Sequence, residues 1–152
     1  MNKLMKPELD YILKQHALWL ENKSGVRANL RNLDLSNVVL NDVDLRYANL
    51  VRVDFTGAIL CRANMSDADI THACFRNADL TGVSFRDADL RNADMSYAQM
   101  TNVDLYRADL YRASFRHAVF DDDVFNKAAS SGAIIKLRDS NRSFCTTFDK
   151  KV

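Results

Sequence analysis

The histidines His16, His72 and His117 and the cysteines Cys61 and Cys74 are the side chains best suited to nucleophilic or metal chemistry. None of them lies at a ligand spacing, and neither cysteine has a base at a fixed interval. No serine stands in a G-x-S-x-G context, and Gly25, Gly57, Gly82 and Gly132 are too sparse for a phosphate loop. The chain therefore reads as non-enzymatic, with no cofactor and no metal. A second group has the chemistry of binding. Tyr106, Arg107, Tyr111, Arg112, Arg116 and His117 interleave cationic and aromatic side chains, as some single-strand nucleic-acid binders do. Asp104 and Asp109 lie among them and oppose that reading. A solvated exterior and a contact for a protein partner are the other two readings.

Charge weighs against the nucleic-acid reading. Lys and Arg total 21 and Asp and Glu 20, a net charge of +1. Such a chain carries no global field to attract nucleic acid or an anionic membrane. Its hydrophobic content of 47% excludes bulk disorder. The first residues mix Lys3, Lys6, Glu8 and Asp10 with apolar side chains, so no secretory leader is expected there. No apolar run is long enough to span a membrane. A reducing cytoplasm is the expected location, and the cysteines do not suggest a disulfide framework.

What positions these side chains is a repeat. From Ala28 the chain divides into nineteen five-residue blocks without an insertion, from ANLRN, LDLSN and VVLND to ASFRH and AVFDD. The third position is large and apolar in every block, from Leu30, Leu35 and Leu40 to Phe115 and Phe120. At the chain's own hydrophobic frequency, that run has a chance of about one in a million. The first position is always Ala, Val or Leu, and the second is Asp or Asn in twelve blocks. A period of five fits neither a helix nor a strand: a helix would smear the large residues around its circumference, and a strand would alternate them between faces. A chain that turns a corner every five residues sends each of them inward. Four sides then close a coil of twenty residues, and coils stack at the ~4.8 Å strand spacing.

The A(D/N)LXX pattern, matched outright by ADLTG, ADLRN and ADLYR, resembles the pentapeptide repeat family over residues 28–120. The resemblance implies an all-β solenoid, a right-handed quadrilateral β-helix of about five coils and roughly 24 Å in length. Residues twenty apart form four inward ladders; one is Leu35, Phe55, Phe75, Met95 and Phe115, and another runs from Leu45 to Phe125. Each Asp or Asn of the second position is expected to accept a backbone N–H at its own corner, as in an Asx turn. Gly57 and Gly82 fall at corners.

A β-helix exposes apolar surface at both ends and needs caps. Residues 7–22 are predicted to form a helix over the first coil, with Pro7 and Glu8 at its start, Gly25 past its end, and a stripe of Leu9, Ile12, Leu13, His16 and Leu20. The segment HALWLENKSGVRANL also resembles the helical lead-in of short phage and bacterial pentapeptide repeat proteins. The expected organisation is an N-terminal cap over 1–27, the β-helix over 28–127, and a C-terminal extension over 128–152. A short helix is expected near 122–131, and a hairpin in the extension. Its Ile134, Ile135, Leu137, Phe144 and Phe148 either close the last coil or form a homodimer contact.

The functional expectation is a non-catalytic module that presents flat solenoid faces to a protein partner. The resemblance also implies an alternative, because some members mimic duplex DNA and bind DNA gyrase, and gyrase-targeting relatives dimerise through the C-terminal end. Mimicry needs a strongly acidic surface. Residues 28–120 hold ten Arg and twelve Asp, a net of −2, which argues against it.

Overall fold

In the computed structural model, residues 2–130 are described. Ile134, Ile135, Leu137, Phe144 and Phe148, and with them the expected hairpin and dimer contact, lie outside the described residues. The fold begins with a two-residue strand, β1 (Asn2–Lys3), and a helix, α1 (Lys6–Leu20). At its start Glu8 reaches back to accept the Met5 N–H at 3.0 Å, and Pro7 occupies the first turn. The helix stops two residues short of expectation. Asn22 takes φ 56°, its N–H bonds the Trp19 carbonyl, and the Lys23 N–H bonds the Leu18 carbonyl at 2.9 Å, a Schellman ending with Asn in place of Gly. Gly25 has another reason to be glycine: an added Cβ there would run into the Gln15 carbonyl and the Trp19 amide.

From residue 28 the five-residue period becomes geometry. In every block from 28 to 102 the third-position N–H and first-position carbonyl face the following coil. Thus Leu30 N–H donates to the Asn49 carbonyl at 2.8 Å, and Asn49 N–H to the Ala28 carbonyl at 3.0 Å. The resulting parallel bridges join residues twenty apart, from Asn29↔Asn49 to Gln99↔Val119. Corners are closed by a first-position N–H bonding back to the preceding third-position carbonyl, as Ala58 does to Phe55 at 2.9 Å. The fifth residue of each block from Asn32 to His117 has φ between 54° and 72°, which gives the corners type II geometry. Gly57 and Gly82 meet that demand without strain, whereas Tyr97, Arg107, Arg112 and His117 adopt it with a full side chain.

All twelve Asp and Asn of the second position accept the N–H two residues on, at 2.8 Å for Asp54–Thr56 and 3.3 Å for Asn29–Arg31. The Asx-turn expectation is met at every one. Inside, Phe55 stacks on Phe75 at 5.2 Å between centroids, and Phe85 meets Phe75 edge-on at 6.0 Å. First-position alanines fill the space beside these rings, and nearly every inward side chain of the middle blocks is fully buried.

The ends differ. At the C-terminal end, α2 (Val124–Ser130) buries Val124, Phe125 and Ala128. Phe125 is buried there and packs edge-on against Phe115 and Phe120, the ends of two other ladders. At the N-terminal end, Leu9 and His16 of α1 are buried, and β1 pairs in parallel with β2 (Leu33–Asp34), a strand the sequence did not announce. Val38, Leu40 and Val43 remain only half-buried.

Candidate protein-binding surface

The polar side chains of the repeat stand at corners, in the fourth and fifth positions. The interval of twenty orders them outside as it orders leucines inside. The sequence group 106–117 therefore falls on three different corners. Tyr106 lies under the Arg86 guanidinium at 4.2 Å, and Arg107 Nε bonds Asp87 Oδ1 at 3.0 Å. Tyr111 and Arg112 occupy the next corner and Arg116 and His117 the one after. There Arg116 Nε donates to His117 Nε2 at 3.2 Å, and His117 stacks on Tyr97 at 5.0 Å. Arg76 covers the other side of Tyr97 at 5.8 Å and pairs with Asp94 at 3.4 Å. The fold thus does not gather the six residues into one patch. It builds two outward columns, Arg76–Tyr97–His117 with Arg116, and Arg86–Tyr106 with Arg107. Arg76, Arg86 and Tyr97 were missed in sequence, although counting outward by twenty finds them.

Charge is balanced side by side. The side carrying Arg31, Arg52, Arg91 and Arg112 also carries Asp69, Asp89 and Asp109. Many of these groups are tied together: Arg62 pairs with Asp42 at 2.6 Å, Arg46 with Asp44 at 2.8 Å, and Arg91 with Asp89 at 2.5 Å. Hydrogen bonding from Arg62 holds the Asp42 carboxyl below the usual range, and Ser36 does the same for Asp34. Burial pushes the Asp44 carboxyl up, but Arg46 outweighs it and the net direction is down. These pairs set an Arg beside the carboxylates of Asp42, Asp44 and Asp89.

Reactive groups are poorly placed for chemistry. Burial, then Asp79, raises the Cys61 thiol above its ordinary value, the wrong direction for a nucleophile. Cys74 Sγ lies 3.3 Å from Thr56 Oγ1. Among the described residues no three His, Cys, Asp or Glu side chains come together as a metal site. No helix of the described residues is long and apolar enough to cross a membrane. His16 is fully buried. Its Nδ1 accepts the Ala28 N–H at 3.1 Å, its ring stacks on Trp19, and its Nε2 has no hydrogen-bond partner among the described residues. It joins α1 to the first coil.

One side stands apart. In residues 38–42 and those twenty and more beyond them, the second position holds Val39, Ile59, Asp79, Gln99 and Val119. Val39, Ile59 and Val119 are exposed at 61%, 40% and 49%. Because Ile59 has no carboxylate, the Cys61 N–H bonds Asn41 Oδ1 of the preceding coil instead.

Comparison with known proteins follows from this geometry. A search of curated proteins finds no match. Among solved structures, a pentapeptide repeat protein from the Arabidopsis thaliana thylakoid lumen is 27% identical over 79% of this chain and 75% of its own, with a TM-score of 0.50. HetL, a pentapeptide repeat protein involved in heterocyst differentiation regulation from the cyanobacterium Nostoc, is 24% identical over 73% of this chain and 50% of its own, with a TM-score of 0.39. QnrB1, a plasmid-mediated fluoroquinolone resistance protein, is 14% identical over 86% of this chain and 76% of its own, with a TM-score of 0.32. The family model for pentapeptide repeats matches residues 26–60, 48–87 and 84–122, in eight copies. With that match spanning well over half of its length, the chain belongs to the pentapeptide repeat family and folds as a right-handed quadrilateral β-helix.

Proposed function

We propose that this protein is a non-catalytic binding module whose exterior meets a protein partner. The rod is about five coils long, with α1 as its N-terminal cap. One observation carries the reading. Tyr97 and His117 stand at corner positions with φ of 64° and 56°, a conformation that costs a bulky residue about 1–2 kcal/mol, and both side chains point outward. Asn or Gly would fill those corners more cheaply, and the stack contributes nothing to the packed interior. Every corner from Asn32 to His117 takes that conformation, so what sets this one apart is the exposed aromatic stack itself, with Arg76 beside Tyr97. Aromatic and Arg side chains are also those that dominate protein interfaces. The two C-terminal columns, Arg76–Tyr97–His117 with Arg116 and Arg86–Tyr106 with Arg107, and the corner of Tyr111 and Arg112 between them, are the proposed contacts.

The test is affinity capture from the native host, with the wild-type chain beside Tyr97→Ala/His117→Ala and Arg107→Glu/Arg116→Glu. A partner retained by wild type and lost by either variant, with unchanged thermal stability, supports the reading. Identical captured proteins for all three chains oppose it. Gyrase mimicry has less support, because no side of the rod departs from neutrality by more than one formal charge over residues 28–120.

A further inference from the structure

The N-terminal rim of the rod is covered unevenly. In each coil the second-position N–H and carbonyl point toward the preceding coil. In the first coil there is no preceding coil. At Asp34 the chain supplies a substitute, since β1 pairs with β2 in parallel. At Val39 it supplies none: Leu40 N–H and the Val38 carbonyl are used toward Ile59 at 2.8 Å, while the Val39 N–H and carbonyl have no hydrogen-bond partner among the described residues. Beside this bare edge runs a groove of about 320 Å³, lined by Lys3, Leu4, Lys6, Leu9, Val38 and Leu40 among others.

We infer that this edge is a strand-addition site for an extended segment of a partner protein, one with alternating apolar residues and flanking carboxylates. The inference deepens the binding-module reading and rests on it. The backbone of Val39 offers one donor and one acceptor to an incoming strand, the way β1 is received one side earlier. An inward side chain of that strand would cover the half-buried Leu40 and Val38, and an outward one would extend the exposed Val39–Ile59 pair. Lys3 and Lys6 stand at the rim, with Asp34 as the acid of the groove, so the favoured ligand is acidic. A second copy of the rod does not fit. Helix α1 rests on the same end through Leu9 and His16, and a helix needs about 10 Å where a strand needs about 4.8 Å. A single strand fits beside α1, whereas a coaxial rod would collide with it.

The test uses random twelve-residue peptides displayed on phage, selected against the full chain, followed by amide exchange with the best peptide. The expected result is enrichment of sequences with two apolar residues two positions apart and neighbouring Asp or Glu. The bound peptide is expected to slow exchange of the Val39 amide at least tenfold. Val39→Pro removes only an N–H that the rod does not use. Checked for unchanged urea midpoint, it is expected to bind at least tenfold more weakly, and Lys6→Glu several-fold more weakly. No enrichment, or saturating peptide with an unchanged Val39 amide, overturns the inference. So does binding by folded Val39→Pro within tenfold of wild type. Host-protein capture that survives Val39→Pro sinks the strand-addition site and leaves the binding module standing. Absence of any reproducible partner for wild type sinks the module.

Discussion

Replacing Phe75 by Ala tests the interior column where it is most tightly joined. Phe75 is fully buried, stacked on Phe55 at 5.2 Å and met edge-on by Phe85 at 6.0 Å. Truncation removes the ring's burial and leaves a void that neighbouring coils, pinned by ladders on all four sides, cannot collapse to fill. Such changes cost about 3–5 kcal/mol in well-packed cores. Against a total stability of about 5–15 kcal/mol, that is a large share. In a solenoid each coil is stabilised by its neighbours, so a loss in the middle weakens both halves. Urea unfolding followed by circular dichroism, with wild type and Tyr97→Ala in parallel, measures it. Tyr97 is 43% exposed, and its removal is expected to shift stability by no more than about 0.5 kcal/mol. Phe75→Asp places an unpaired charge in the column and is expected to abolish folding. A Phe75→Ala loss under about 1 kcal/mol, or one equal to that of Tyr97→Ala, would refute an interior of this kind.

Three further outcomes follow from named contacts. Gly57→Ala puts a Cβ at φ +66° and 2.6 Å from Asn37 Oδ1, and it is expected to cost about 1–2 kcal/mol in the same assay. Burial lowers the His16 pKa below 6.5, with Asp44 working in the opposite direction. The unfolded chain then binds a proton near pH 6.5 that the folded chain refuses, so stability falls as pH drops below 6.5 and levels off beneath the folded pKa. Thermal melts across that window should show this slope in wild type and lose it in His16→Leu. In a gyrase supercoiling assay, a large molar excess of the protein is expected to leave activity unchanged; inhibition would revive the DNA-mimic reading.

Period, inward ladders and Asx turns were legible because each rests on a side-chain type that recurs. Phe125 adds to the interior from a helix, against Phe115 and Phe120, after the block pattern has decayed at Asp121. Gly57 and Gly82 marked two corners, and eight more carry Asn or Asp, which favour the left-handed region, but Arg, Tyr or His at the remaining eight leaves no mark in residue type. The group 106–117 looked like a patch because neighbours in sequence suggest neighbours in space; successive blocks instead send their side chains to successive corners. The open rim at Val39 was hidden as well. It depends on which sides β1 and α1 cover, and Asn2–Lys3 carries no strand signature.

Amide hydrogen exchange by NMR on the full chain tests the winding itself. The account predicts a five-residue rhythm over residues 28–100: slow exchange at third and fifth positions, which bond the next coil, and faster exchange at fourth positions, which bond mainly an Asp or Asn side chain. Unbroken helical blocks of protection in that range, or protection without the rhythm, would contradict it.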